Sequence, residues 1–282
     1  MARRLAIGAI LFGSFAGLSE GTQAQPVPIP EEVKQRWYVD EADDLCFMSH
    51  ALDGGSNHRL TVQTYPGSQL YDLVLDSDAW PARELQITDS RLELRPIKDL
   101  HWHKTLIDPS RSASGKAIRV VELPGSFLLN LAKATSLELS NAQLKLSYAI
   151  PTGIAVATNA LVECQVMKMI EWGADPSGFG IGATPVKVRG DPREWFGQDF
   201  FDKPKSYRIA VRMLVSPDGH VEKCDFLRSS VSEEEKTSAC KAILETARFT
   251  PARNPKGAPV RSVYVLYGNI DRYRMWQHLP ED

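Results

Sequence analysis

The clearest alternation of apolar and polar positions lies in the last quarter of the chain, from Tyr207 to Asn269. Tyr207, Ile209, Val211, Met213 and Val215 alternate with Arg208, Ala210, Arg212 and Leu214. Side chains of a strand point to opposite faces in turn, so this period of two predicts a half-buried strand, the first row on a core and the second towards water. Ser216-Pro-Asp-Gly219 follows, with Pro suited to the second position of a turn and Gly free to take positive φ. A second strand, His220 to Leu227, returns antiparallel. Its apolar positions Val221, Cys224 and Phe226 are spaced by an odd and then an even step, which predicts a bulge near Lys223. Ser232-Glu-Glu-Glu235 reads as a capping box, with three carboxylates at the positive end of the helix dipole. Ala239, Cys240, Ile243 and Ala247 recur at helical spacing, so that helix lays one face on the sheet. Phe249-Thr-Pro-Ala252 ends it, a loop from Asn254 to Pro259 follows, and Ser262 to Asn269 is a third strand. The order is β-β-α-β.

From Trp37 to about Ile150 the pattern is again strand-like. Arg59–Gln63, Gln69–Leu75, Glu84–Ile87, Arg91–Leu94, Ala117–Glu122, Ser136–Leu139 and Gln143–Leu146 alternate wholly or in part. Seven short strands separated by Asp, Gly, Ser and Pro predict an antiparallel sandwich or open barrel. A helix is expected from about Thr152 to Trp172, with Ile154, Ala157, Leu161 and Cys164 on one stripe. The fold class expected is therefore α+β: an N-terminal antiparallel β-rich domain (37–173) closed by one helix, then a small β-β-α-β domain (191–282). Between them, 174–190 reads as a linker. Its Gly178-Phe-Gly-Ile-Gly182 run lacks the preceding strand and following helix that a phosphate loop needs. Asp191-Pro-Arg-Glu-Trp195 is expected to pack on the C-terminal sheet as its entry segment.

The first residues add an address. Arg3-Arg4, an apolar run from Leu5 to Leu18 and the exit Thr22-Gln-Ala24 describe a secretory signal peptide (1–24), followed by a proline-bearing extended lead-in (25–36). A spanning helix needs about 20 apolar residues, and this run is shorter and interrupted by Gly8, Gly13, Ser14 and Gly17. The expectation is a periplasmic, exported protein, with an uncleaved inner-membrane anchor facing the periplasm as the alternative and membrane contact only in that case. Cleavage after Ala24 removes Arg3, Arg4 and Glu20, leaving 31 basic against 34 acidic residues, net −3. Such a balance gives no reason to expect nucleic acid or an anionic membrane as partner.

Four cysteines, Cys46, Cys164, Cys224 and Cys240, allow three pairings. Cys224 lies in the second strand of the C-terminal domain and Cys240 on the helix face expected to cover it, so these two are expected to bond. Cys46 is then left for Cys164, clipping the middle of the long helix to the first strand. Four buried free thiols are the other reading, and an exported chain favours disulfides.

Catalytic chemistry finds little purchase. His101-Trp-His103 has metal-like spacing for one strand face, but no third ligand is visible, and a solvent-exposed loop is the expectation; no metal and no cofactor are expected. Ser110 to Lys116 lacks a serine three before the lysine, and no Gly-x-Ser-x-Gly occurs. Asp43-Asp44 and Glu233–Glu235 read as a loop and a helix start. No catalytic residues are assigned, and the chain is read as a non-enzyme.

The sequence of strand, Pro217-Asp-Gly-His220, Ser229-Ser230, helix, Phe249-x-Pro251-Ala252, Gly257-x-Pro259-Val260 and strand resembles the C-terminal domain of the TonB family of periplasmic energy-transducing proteins. The likeness covers about 80 residues from roughly Asp191. Ser229-Ser230-Val231 and Glu234-Glu235 stand where many members have Ser-Ser-Gly and Leu-Asp, and Asp199-Phe-Phe201 stands where a Tyr-Pro pair is usual. The resemblance implies a module that binds protein partners of the cell envelope, such as outer-membrane receptors, by β-strand addition, in support of energy-dependent transport. It makes Ser262–Asn269 the platform, with Val263, Tyr264, Val265 and Tyr267 as partner-binding residues and the two tyrosines supplying aromatic contacts. Tyrosines that merely pad the sheet face are the equal alternative. A periplasmic adaptor or ligand-binding module without a role in energy transduction is the rival function. It is favoured by the short proline segment and by the folded domain where the family has a long spacer.

Overall fold

The computed structural model describes residues 36–42, 44–52, 58–77, 91–97, 101–102, 111–112, 115–140, 145–196, 207–229 and 231–270. The first strands form a meander: β1 (Tyr38–Ala42), β2 (Leu45–Ala51), β3 (Arg59–Thr64) and β4 (Leu70–Ser77), each antiparallel to the next. Then come β5 (Arg91–Arg95), β6 (His101–Trp102), β7 (Arg111–Ser112), β8 (Gly115–Pro124), β9 (Ser136–Ser140) and β10 (Lys145–Ala149). They build a six-stranded sheet of order β1-β2-β3-β4-β8-β7 and a four-stranded sheet of order β10-β9-β5-β6. Met48, Leu60, Leu73 and Val120 of the first sheet and Leu94 and Leu137 of the second lie in one buried cluster. Six of the seven alternating segments are strands here, and Glu84–Ile87 lies outside the described residues.

Three elements of this region depart from expectation. β1 pairs with β2 although its side chains are mostly exposed, so it carries little alternation to read. Cys46 accordingly lies in the second strand, not the first. A short helix, α1 (Gly125–Leu131), directly continues β8 and buries Phe127, Leu128 and Leu131. His101–Trp102 is a strand paired with β5 rather than a loop, and His103 lies outside the described residues.

Helix α2 (Ile154–Glu171) matches the helix expected between Thr152 and Trp172, and it starts after Gly153 in the left-handed region (φ 85°). Ile154, Ala157 and Leu161 are buried against the β core, and Cys164 is bonded to Cys46 across 118 residues of sequence. Lys168, one turn from the end, lies 3.3 Å from both Glu41 of β1 and Glu171.

The rest of the chain is a second layer system. β11 (Lys187–Arg189), β12 (Tyr207–Val215), β13 (Val221–Ser229), α3 (Glu233–Thr246), β14 (Arg248–Thr250), β15 (Ala252–Arg253), β16 (Pro259–Val260) and β17 (Ser262–Ile270) follow in order. β12 is central in an antiparallel sheet of order β13-β12-β17. With mixed helix and mostly antiparallel strand, the chain is α+β.

Local chemistry sets these elements as the sequence suggests. Ser232 Oγ accepts the Glu235 N–H while Glu235 reaches back to the Ser232 N–H, the capping box in full. The register shifts between Leu214 and Val215, leaving Glu222 extra beside Lys223, and shifts again between Ala210 and Val211. At Gly219 (φ 84°) an added Cβ would fall 2.2 Å from the Phe249 carbonyl oxygen, so this turn admits no side chain. Cys224–Cys240 ties β13 to α3.

Part of the stretch expected as a linker is structured. Asp175 caps a 3-10 turn at Pro176–Gly178, Thr184 exchanges backbone bonds with Arg253, and β11 pairs with β14. Asp191 caps the turn Pro192–Trp195, whose Trp195 ring lies 5.1 Å from Phe249, as the entry-segment reading expects. The Arg193 side chain beside Asp191 holds that carboxyl below its usual range.

Candidate functional site

The strand carrying Val263, Tyr264, Val265 and Tyr267 is buried on both faces. Their relative exposures are 3%, 8%, 2% and 5%. Strand geometry splits them into two rows. Tyr264 and Leu266 face α3 and join the cluster of Ile209, Val211, Met213 and Ile243; the Tyr264 ring lies 5.2 Å from Phe249. Burial pushes the Tyr264 phenol up to about 12.

Val263, Val265 and Tyr267 face the other way, together with Ala210 and Leu214 of β12. The β12 members of this face were expected to meet water, and Val263, Val265 and Tyr267 to meet a partner. Instead the face meets Tyr65 from the β3–β4 connection, Met169 and Trp172 from the end of α2, and Ala174 and Phe179 just beyond. Tyr65 and Tyr267 rings are 5.0 Å apart. Arg212, a polar member of the row, lies 4.6 Å over the Trp172 ring and donates to Asp225 at 3.0 Å. Stacking on an indole and pairing with a carboxylate let an arginine sit within a covered face.

The outer edge of β17 was expected to be open. Here the Val265 N–H, turned away from β12, donates to the Gly67 carbonyl at 3.1 Å. Gly67 (φ 88°) sits in the turn Tyr65–Ser68, closed by Ser68 N–H donating to Tyr65 O at 2.8 Å. An added Cβ at Gly67 would lie 3.1 Å from the Val263 side chain and from its carbonyl oxygen. Only glycine lets the turn approach β17 so closely while holding that φ.

Asp72 completes the contact. A register shift between Tyr71 and Leu73, opposite Glu122 (φ 59°), marks a bulge that leaves Asp72 2% exposed. Its carboxylate accepts the Tyr267 hydroxyl at 2.6 Å and the Glu122 N–H at 3.3 Å. Nearby, Gln165 Nε2 of α2 donates to the Tyr71 hydroxyl at 3.3 Å, and burial raises the Tyr71 phenol.

The structure thus brings Val263, Val265 and Tyr267 together with Tyr65, Gly67 and Asp72, three residues the sequence reading did not single out. A signal existed. Val263-Tyr-Val-Leu-Tyr267 is a continuous apolar run, the pattern of a strand covered on both faces, and half of the supposed water-facing row of β12 is Ala210 and Leu214. Nothing local marks Gly67 or Asp72, because their role depends on an element about 195 residues later.

All four cysteines are in disulfides. Among the described residues, no group of three or more His, Cys, Asp or Glu is placed to hold a metal, and no helix is long and apolar enough to cross a membrane. No protein-family model, curated protein or solved structure matches the chain.

Proposed function

We propose that this chain is a periplasmic, TonB-like protein that binds protein partners of the cell envelope, outer-membrane receptors among them, by adding an extended partner segment to the outer edge of β17. The observation that supports this reading is the Val265 N–H donating to Gly67: backbone from elsewhere in the chain already uses that edge as a strand partner would. A partner therefore competes with the Tyr65–Ser68 turn, and the first β unit regulates access. Two disulfides support an oxidising compartment.

The burial of Tyr264 and Tyr267 favours a second reading, an adaptor or ligand-binding module without a role in energy transduction, in which β17 serves only to join the two halves.

Two substitutions of opposite sign separate these readings. Val265→Pro deletes the N–H and lowers partner capture in envelope crosslinking. Gly67→Ala strains the turn and its approach to Val263, so it raises capture. Both proteins are melted in parallel to confirm folding. Capture that responds to neither substitution rejects strand addition at β17. The N-terminus of the envelope protein addresses transduction: Gln25 fits an exported module, and intact Met1 in the inner membrane fits an anchored transducer.

A further inference from the structure

Oxidants find their softest targets in sulfur. All four cysteines are in disulfides, which leaves the methionine thioethers. Burial sorts the four methionines among the described residues. Met48 and Met213 are 0% exposed, each inside the core of one half. Met167 is 66% exposed on α2. Met169, two residues on, is half-buried and packs on the cluster of Tyr65, Val263, Val265 and Tyr267 where the halves meet.

Met169 also lines a cavity of about 300 Å3 together with Gly67, Val263 and Tyr264. The cavity admits water-sized molecules, so hydrogen peroxide, little larger than water, reaches this wall of the seam. Oxidation turns the thioether into a polar sulfoxide with an acceptor oxygen. Two donors on the same cavity are already engaged: Gln165 Nε2 donates to the Tyr71 hydroxyl at 3.3 Å, and Arg261 lies 2.9 Å from Glu222. Nor is the end of α2 free to turn away. Cys164 is bonded to Cys46, and Lys168 lies 3.3 Å from both Glu41 and Glu171. The new acceptor is therefore held beside Val263 and the Gly67 turn, where burying it unpaired is unfavourable.

We propose that Met169 is a modification site and an oxidation switch: conversion of its thioether to the sulfoxide by peroxide loosens the seam and opens the outer edge of β17. The sulfur lone pair attacks one peroxide oxygen, the O–O bond breaks, the S–O bond forms and water leaves. Sulfur loses two electrons and peroxide gains them. A dithiol reverses the step through methionine sulfoxide reductases, giving thioether, water and a disulfide. Met167 reacts too, but its sulfoxide sits in water and disturbs nothing. The device stands on the seam itself, whether or not β17 takes up a partner strand.

The test treats the full chain with hydrogen peroxide and reads two things. Tryptic mass mapping follows each methionine, since cleavage after Lys168 puts Met167 and Met169 on separate peptides. Met167 should oxidise first and Met169 next, with Met48 and Met213 protected while the chain is folded. Hydrogen exchange then follows β17, whose Val265 N–H donates to Gly67. Its exchange should rise about tenfold on oxidation in the parent and in Met167→Leu, and stay at the untreated rate in Met169→Leu, a swap that keeps volume. Protection of Met169 equal to that of Met48 and Met213 overturns the proposal. So does β17 exchange that ignores Met169 oxidation, or a rise that persists in Met169→Leu. Should Met169→Leu fail to fold, the treated parent decides: reduction by both epimer-specific reductases with a dithiol should restore slow exchange, and exchange that stays fast rejects the switch.

Discussion

Tyr267, on the last strand, donates its hydroxyl proton to Asp72, on the fourth, at 2.6 Å across 195 residues of sequence. Both residues are almost fully buried, so the bond joins the two halves of the chain where water does not compete. Tyr267→Phe keeps the ring against Tyr65 and removes only this donor. It is expected to lower stability by about 1–3 kcal/mol. Urea unfolding followed by separate probes in each half should then resolve two transitions where the parent shows one. Parental stability and a single transition would mean the bond contributes nothing.

Alkaline pH should loosen the same strand. The Tyr264 phenol is raised to about 12 by burial, against about 10 for an exposed tyrosine. The folded pKa is the higher one, so the contribution is intact below about pH 10 and is lost as pH climbs from 10 to 12. A two-unit difference corresponds to roughly 2–3 kcal/mol. Tyr264→Phe should flatten the fall in melting temperature over that window, and an unchanged slope would assign the loss to other groups.

The two disulfides should differ in weight. Cys46–Cys164 closes 118 residues and Cys224–Cys240 only 16. Chain entropy assigns about 5 kcal/mol to the long loop and about 3 to the short one. Cys46→Ser is therefore expected to lower the denaturation midpoint more than Cys240→Ser does. Peptide mapping without reductant should yield only these two linked pairs.

Local features of the carboxy-terminal half were legible because neighbours in sequence cause them. Ser232 and Glu235 cap a helix three residues apart, Gly219 closes a turn, and the odd-then-even step from Val221 to Phe226 marked the bulge. The Cys224–Cys240 pairing followed from the strand and helix that carry it. What stayed hidden was the second face of the β12–β17 sheet. Arg208 and Arg212 suggested water, yet Arg212 stacks on Trp172 and pairs with Asp225, so its charge gave the wrong cue. The candidate site suffered most. Val263, Val265 and Tyr267 were named from the strand alone, whereas their surroundings come from Tyr65, Gly67 and Asp72 of a distant hairpin.

Arg212 over Trp172 and Val265 on Gly67 carry a practical consequence. A fragment beginning at Ala174 would leave behind Tyr65, Met169 and Trp172 and bare a face of Ala210, Leu214, Val263, Val265 and Tyr267 beside an edge missing its Gly67 acceptor. An apolar face next to an unpaired strand edge drives self-association. The excised piece should sediment as concentration-dependent oligomers while the full chain remains discrete. In that respect β1 through α2 are expected to act as a tethered solubiliser for the half that follows.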